Sequence, residues 1–450
     1  MKRVLLNTFI FVLVCALLLI TGLNIANSSF LFMQDDGGTF SYTDSTPASI
    51  DGADFLLPEY ICAKGEAIKD VAFLANSTTV GEIYSYLNPF ILSALTQGRC
   101  FPVDDSIWEA LLDEKNIVYV RYHSQLMAGV IASHLGSRVP SVEGAGEISE
   151  LIISVNAQSG SFSLTTRSKL GQVRSFYPPQ NGYTLENTSL FFDTEHFSRY
   201  AELANNSTFN FIARANLSGI SQSSLISPFQ PVLDTPPAVS VLNFEATDAE
   251  FSPELLAAIG FTPAGLGSYK DELTGDTVYI NTLGTIRRGP DRFTFTASLD
   301  GGIPLNVTSG REDAYPVFES IDAAEVLLDK LTTLMPTVFG GDARPMLISV
   351  SANGDALTLN FTYAHNNVII LNSDKTAPEI SMTVKDGKIT DISAELINAV
   401  STSYLIKSYP MFTVLRVLTP AVKPQSYSLL RLAYIIGEGD CHAEWLLETK

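Results

Sequence analysis

Residues 379–396, EISMTVKDGKITDISAEL, constrain the fold more than any other stretch, because only Asp386 and Gly387 separate two alternating apolar segments. An Asp-Gly pair tolerates the positive φ that a two-residue hairpin turn requires. TLNFTYAHNNVIILN repeats the arrangement with a turn at His365 to Asn367, and ISELIISVNAQSGSFSLTTRS with a Gly-containing turn at Gln158 to Gly160. Strands joined by such short turns pair antiparallel, and no regular βαβ beat runs through the C-terminal half. The expected class is α+β, with antiparallel sheets and packed helices.

Helical spacing interrupts the strands. In TTVGEIYSYLNPFILSALTQG, Ile83, Leu87, Ile91 and Leu95 stack on one face, Gly98 offers a stop, and Pro89 is expected to kink or divide the helix. DDSIWEALLDEKNIVYVRYHS predicts a helix capped by Asp104 or Asp105 and running through Lys115, then a strand over Ile117–Tyr122. Ser252 caps PELLAAIG, which stops at Gly260, and ESIDAAEVLLDKLTTLM is an amphipathic helix expected to turn Val326, Leu327, Leu331 and Leu334 inward. SPFQPVLDTPPAVS at 227–240 is a proline-rich joint. Ile153 to Leu164 can be laid without gaps on Ile348 to Leu359, which sets duplication of a lobe against convergence of two hairpins.

The first residues, MKRVLLNTFIFVLVCALLLITGLNIA, place Lys2 and Arg3 before an apolar run from Val4 to Ala26. A removable signal peptide needs ~7 to 15 apolar residues and a small-residue cleavage triplet, whereas a spanning helix needs ~20. This run is long and no clean triplet follows, so a retained single transmembrane helix is expected. Its cations hold the N-terminus in the cytoplasm and leave the C-terminal bulk outside the plasma membrane. On that helix Asn7, Phe11, Cys15, Leu18 and Gly22 fall on one stripe that collects small and polar side chains. Close backbone approach and interhelical hydrogen bonds drive association in lipid, which makes the stripe a candidate partner-binding face. Accident is the competing account, with Asn7 merely lying near the headgroups.

The expected divisions are 1–26 (cytoplasmic tip and anchor), 27–54 (flexible tether), 55–140 (small N-terminal α/β lobe), 141–235 (middle α+β lobe) and 236–450 (C-terminal α+β lobe). At 46% hydrophobic, the part beyond the anchor has apolar material for two or three cores. A net charge of -20 argues against nucleic acid and against docking on anionic lipid, and reads first as solubility of an exported protein. Of the four cysteines, Cys15 lies in the apolar run, Cys62 and Cys100 flank one helical segment, and Cys441 remains. Cys62 and Cys100 either pair in an oxidising compartment or stay thiols.

The sequence carries no His-Glu-x-x-His, no Gly-x-Ser-x-Gly, no Ser-x-x-Lys and no P-loop. His123 and His134 stand apart, and Asp193-Thr-Glu195-His196 reads first as helix capping. Cys441-His442, beside Glu444 and Trp445, lacks the further ligands that zinc needs, so a strand-edge turn with a buried thiol is expected. Gly144-Ala-Gly146 and Gly265-Leu-Gly267 lack the glycine and strand-to-helix setting of a dinucleotide loop. The expectation is therefore no catalytic residue, no cofactor site and no metal site.

One segment is more distinctive. GFTPAGLGSYKDELTGDTVYINTLGTIRRGPDRFTFTASLDGG reads as a β-meander, with Val278 and Ile280 alternating against Tyr279 and with Phe293 and Phe295 sharing a face. It resembles the YycH/YycI family, single-pass extracytoplasmic regulators of an essential cell-wall sensor histidine kinase in low-GC Gram-positive bacteria. SIWEALLDEKNIVYVRYHSQL, FTYAHNNVIILN, VKDGKITDISAEL and LAYIIGEGDCHAEWLLET resemble further parts of the family, and the N-terminal lobe is closer to YycH in architecture. The resemblance implies an anchored protein without catalysis, with a sensor histidine kinase of the YycG (WalK) type as partner. It leaves room for a paralogous anchored regulator and offers no catalytic residues to carry over. An extracytoplasmic ligand-binding or adhesion-type module is the alternative, and a wall hydrolase a more distant one.

Overall fold

Cross-strand pairing organises nearly all of the chain that the computed structural model describes, which is residues 56–64, 71–74, 78–114, 117–135, 137, 141–155, 162–177, 210–213, 229–232, 238–245, 251–262, 266–305, 316–366, 368–374, 376–407, 427–437 and 441–449. The stripe Asn7, Phe11, Cys15, Leu18 and Gly22, the tether 27–54, and the turn at 158–160 lie outside the described residues. Among the described residues no helix is long and apolar enough to cross a membrane. Gly52–Lys450 form one compact unit.

The first sheet comprises β1 (Pro58–Lys64), β2 (Val71–Leu74), β3 (Arg99–Val103), β4 (Ile117–Met127), β5 (Glu147–Val155), β6 (Phe162–Arg167) and β7 (Val173–Tyr177), in the order β2-β1-β4-β5-β6-β7-β3. Every pairing in it is antiparallel. β4 pairs directly with β5, so strands from both sides of residues 140 and 141 lie in this one sheet. Period-two alternation sorts β4 between two cores. Val118 and Val120 face inward with Leu151, Ile153 and Leu164, while Ile117 and Tyr119 face outward.

Helix α1 (Thr78–Gln97) lays Ile83, Leu87, Ile91 and Leu95 into the inner core, all at most 1% exposed. Pro89 lies inside this helix and does not divide it. The carbonyl that proline leaves without its helical donor belongs to Ser85, and Ser85 and Pro89 both lie on the exposed face, open to solvent. Helix α2 (Asp105–Leu112) is capped by Asp104, whose Oδ1 accepts from the Ser106 N–H at 2.9 Å, and it drives Trp108 and Leu112 into the outer core. Helix α3 (Ala128–His134) follows β4 onto the inner face.

Cys62 lies on β1 and Cys100 on β3, five strand steps apart across the first sheet. At ~4.8 Å per step the separation is ~24 Å, beyond the reach of a disulfide. The two cysteines do not pair with each other.

A two-stranded pair, β8 (Asn210–Ala213) with β9 (Phe229–Val232), precedes the second sheet. That sheet is entered at β10 (Ala238–Phe244), followed by helix α4 (Pro253–Ala258), β11 (Gly267–Lys270), β12 (Thr277–Ile280), β13 (Gly284–Arg288), β14 (Arg292–Ala297) and β15 (Ile303–Pro304). After helix α5 (Pro316–Leu334) come β16 (Phe339–Gly341), β17 (Arg344–Asn353), β18 (Ala356–His365), β19 (Val368–Leu371), β20 (Glu379–Lys385), β21 (Lys388–Glu395), β22 (Ile397–Lys407), β23 (Tyr427–Ile436) and β24 (Cys441–Thr449). The path is β11-β12-β13-β14-β21-β20-β18-β19-β23-β24-β10-β22-β16, with β15 on β21 and β17 on β18. Two of its pairings, β16 with β22 and β19 with β23, are parallel, so the sheet is mixed where an antiparallel one was expected.

The register builds the core of this half directly. Tyr279, Ile286, Phe295, Ile392, Met382 and Leu359 stand opposite one another on successive strands, and each is at most 7% exposed. On the opposite face the same strands align Arg287, Thr294, Ser393, Ser381, Asn360 and Ser349. There Asn360 Nδ2 donates to Ser349 Oγ and Ser381 Oγ donates to Asn360 Oδ1, each at 2.9 Å. Val278, Phe293 and Phe295 are buried as expected, but Ile280 is 42% exposed because β12 ends there.

The turn chemistry holds at Asp386 (φ +50) and Gly387 (φ +68), and Asn366 (φ +47) turns β18 into β19. Ser252 Oγ accepts from the Leu255 N–H at 3.1 Å and caps α4. In α5, Leu327 and Leu331 are buried, whereas Val326 and Leu334 are 55% and 42% exposed. The buried stripe is Ile321, Ala324, Glu325, Leu327, Leu328 and Leu331, and it includes an acid that an apolar-only pattern rejects. The two similar stretches do form hairpins, but their registers differ. Val155 pairs with Phe162, while Val350 pairs with Leu359 rather than the equivalent Leu357.

Candidate functional site

Among the described residues, the histidines, cysteines and glycines flagged by the sequence do not converge. Asp193, Glu195 and His196 lie outside the described residues, as does the side chain of His442. His365 is 6% exposed, with Nδ1 3.1 Å from the Asp342 carbonyl and Nε2 3.0 Å from Asn366 Nδ2. A carbonyl only accepts and an amide nitrogen only donates, so this arrangement suits a proton on Nδ1 and an accepting Nε2. The ring is held as a turn support, with both nitrogens occupied. Cys441 opens β24 with its thiol fully buried, as the sequence suggested. Gly144 and Gly146 lie in a loop, and Gly267 opens β11. No group of three or more metal-ligating side chains occurs among the described residues.

Sequence reasoning missed the site where charge does concentrate. It lies at the end of the first sheet where β1 begins and where β4 departs from regular pairing. There Tyr122 to Gln125 stand opposite the single residue Ser149 of β5, because pairing skips from Arg121–Glu150 to Leu126–Ile148. A bulge of this width re-aims the strand, and β17 of the second half lies against β4. Arg121 Nε is 3.2 Å from Glu59 Oε2, and Arg121 Nη1 is 3.6 Å from Glu150 Oε1, with side chains only 11–13% exposed. Neither Arg121 Nε nor Glu59 Oε2 achieves hydrogen-bond geometry, so the ion pair is close but imperfectly seated. Tyr119 Oη donates to Glu150 Oε1 at 2.9 Å, and the Arg121 guanidinium lies 5.9 Å from the centre of the Tyr60 ring.

The second half of the chain closes over this corner. Trp445 of β24 packs on the outer core of Tyr60, Cys62, Trp108 and Tyr119, so both tryptophans of the protein lie in one cluster. Arg167 stands 5.8 Å over the Trp108 ring, whose buried Nε1–H has no hydrogen-bond partner among the described residues. Burial pushes the Arg431 guanidinium of β23 below its ordinary range, Glu59 opposes the shift and Arg121 adds to it. Lys169, an exposed residue of the β6–β7 turn, has an ammonium that burial, Arg431 and Arg121 push down while Glu59 again opposes. Burial also works against the Arg121 charge, but Tyr60, Glu59, Tyr119 and Glu150 outweigh it and hold that guanidinium above its usual range. On the inner face His134 Nδ1 of α3 lies 3.9 Å from Glu325 Oε2 of α5.

Chemically, this corner binds two halves of a protein together. Among the described residues it presents ion pairs, aromatic rings and a lysine. A double-sided, partly buried junction of mixed charge is suited to fixing relative orientation, and long-range pairing of this kind leaves no local signal in sequence.

No family model matches the chain, and no curated protein sequence matches it. Among solved structures, the crystal structure of YycH from Bacillus subtilis superposes over 88% of this chain and 94% of that one, with a TM-score of 0.51 at 10% identity. A pyran synthase domain from module nine of the sorangicin pathway covers 57% of this chain and 73% of its own at a TM-score of 0.16 and 11% identity. A dehydratase domain of a mycocerosic acid synthase-like polyketide synthase covers 78% and 97%, also at a TM-score of 0.16 and 11% identity. At those scores neither of the latter two carries a fold argument. The described chain has a YycH-like fold.

Proposed function

We propose that this chain is a non-enzymatic, membrane-anchored regulator of a two-component sensor histidine kinase that controls cell-wall homeostasis. The observation that carries the reading is the likeness to YycH over 88% of the chain, which extends to the whole architecture what the meander and the closing strands suggested in sequence. Residues 1–26 serve as the anchor and reach the kinase through the stripe Asn7, Phe11, Cys15, Leu18 and Gly22, while the bulk outside the membrane adjusts that contact. The kinase is the direct partner, a paralogous anchored regulator is a second one, and no cofactor takes part.

Reconstitution tests the reading. The full chain and the wall-sensing histidine kinase of the same organism are placed in one vesicle population, and kinase autophosphorylation is measured with and without the chain. A change in rate of about fivefold or more is expected, corresponding to a coupling of ~1 kcal/mol. Unchanged autophosphorylation, together with failure of the two proteins to co-purify, removes the proposal. Saturable binding of a wall fragment without any kinase effect would instead favour the ligand-binding module.

A further inference from the structure

Helix α5 buries a carboxylate in a stripe that is otherwise apolar. Glu325 is 8% exposed, beside Ala324 and Leu328 at 0%, and it is faced by His134 at the end of α3, with Nδ1 3.9 Å from Oε2. The contact is too long for a hydrogen bond but within reach of an ion pair, so its strength depends on whether the imidazole is protonated. The two side chains are 15% and 10% exposed. They come from helices packed on the first and second sheets, where the buried core runs through both without a break.

Helix α3 packs on α1, β4 and α5, and α5 packs also on α4, β16 and β20. On α1, Tyr84 shares a 2.8 Å hydrogen bond with Tyr122 of β4, and Tyr86 is half-buried. On β4, Tyr119 and Arg121 turn to Glu150 and Glu59, and His123 lies in the bulge. Glu254 of α4 and Glu379 and Lys385 of β20 are exposed, and β16 has no titratable side chain. On α5 itself, half-buried Asp329 stands one turn beyond Glu325 and Lys330 is exposed, while Glu82 on α1 and Glu319 and Asp322 on α5 complete the acids of the two helices. A second anion one turn away works against a bare carboxylate at Glu325.

A buried carboxylate beside a neutral imidazole is the arrangement such a site disfavours, because the anion has lost water and faces no opposite charge. Imidazolium with carboxylate, and imidazole with carboxylic acid, both avoid it, and each holds one proton more. We propose that His134 and Glu325 together keep one proton in the folded chain, forming a pH-sensitive switch that favours the fold in mildly acidic medium and weakens it as pH rises past neutrality. In the unfolded chain a histidine releases its proton near pH ~6.5 and a glutamate near ~4.3. Between those values the folded and unfolded chains carry the same single proton at these positions, and the pair adds no slope. Above ~6.5 the unfolded chain holds fewer protons, so stability falls as pH rises; below ~4.3 it holds more, so stability falls as pH drops. The switch stands on the geometry of the pair and does not depend on which partner the protein has.

Urea unfolding of the purified full-length chain in detergent micelles, followed by the fluorescence of Trp108 and Trp445, reads the switch as a function of pH. Between pH ~6.5 and ~8 the unfolding constant of the parent is expected to rise about tenfold more than that of Glu325→Gln, which lacks the acid. Titrating groups elsewhere contribute equally to both profiles and cancel in the comparison. His134→Gln leaves the acid to hold the proton alone, so its rise is expected to begin about two pH units lower, near ~4.5. Parallel profiles for the parent and Glu325→Gln, or for the parent and His134→Gln, overturn the proposal. If Glu325→Gln fails to fold, His134→Gln decides: a rise beginning near pH ~4.5 supports the shared proton, and the parent's profile overturns it.

Discussion

Phe295 stands at the centre of the transverse row that makes the core of the second half. Its ring meets Phe261 edge to face at 6.0 Å, and its strand neighbours Ile286 and Ile392 close both sides. The backbone at Gly284 approaches so closely that a Cβ there would lie 2.8 Å from the Phe295 ring and 2.3 Å from the Thr296 carbonyl oxygen. A side chain enclosed so tightly leaves a cavity that its surroundings cannot fill. Phe295→Ala is therefore expected to cost ~3 to 5 kcal/mol, a large share of the stability of a typical domain. Urea denaturation of the parent and the variant measures it, and an unchanged midpoint would mean that the row is not core. At this scale the sequence was informative wherever alternation was strict, as at Phe293 and Phe295, and misleading at Ile280, where the strand ends and the next alternate position faces water.

At the scale of elements, local chemistry set the turns and caps. Asp386-Gly387, Asn366, Ser252 and Asp104 each act within a few residues, which is why sequence revealed them. The phase of α5 did not yield to the same reasoning, because the outcome depends on which face meets another element. Helix α1 tolerates Pro89 through solvent at Ser85, and α5 buries Glu325 because His134 of α3 faces it. The β11–β12 hairpin offers a test at this scale. Asp271 Oδ1 accepts from the Leu273 N–H at 3.0 Å and Oδ2 accepts from Arg287 Nη1 at 3.2 Å, and its carboxyl is held below the ordinary value chiefly by the Leu273 N–H, with Arg287 adding. A depressed carboxyl stabilises the fold above its unfolded value, near pH ~3.9, and loses that contribution as pH falls through the folded one. Amide exchange in residues 267–280 should therefore be faster in Asp271→Asn than in the parent at pH ~5, with the difference closing as the pH falls through the lowered folded value. Equal exchange at the higher pH would show that these bonds contribute nothing to the hairpin.

Across the whole molecule, the arrangement least visible in sequence is the one that joins its parts. The first sheet draws β1 to β7 together across the expected boundary at 140/141, and its charged corner assembles Glu59, Arg121, Glu150, Lys169 and Arg431 from positions hundreds of residues apart. Such pairing is fixed by tertiary packing and has no periodic signature. The other end of the molecule is the reverse case, since the apolar run from Val4 to Ala26 is a strong local signal in residues outside the described structure. If that run is kept as an anchor, two consequences follow together. Intact-mass spectrometry of the protein from its native membrane should give a chain that begins at Met1, and Asn7→Leu with Gly22→Leu should leave it in the membrane fraction while weakening kinase co-purification by about tenfold, or ~1.4 kcal/mol. Leucine keeps the segment apolar enough to insert but removes the amide and the close backbone approach on which a helix–helix contact in lipid depends. A mature chain beginning near Asn27 would end the intramembrane mechanism, and undiminished co-purification of the double variant would move the kinase contact from the stripe to the bulk outside the membrane.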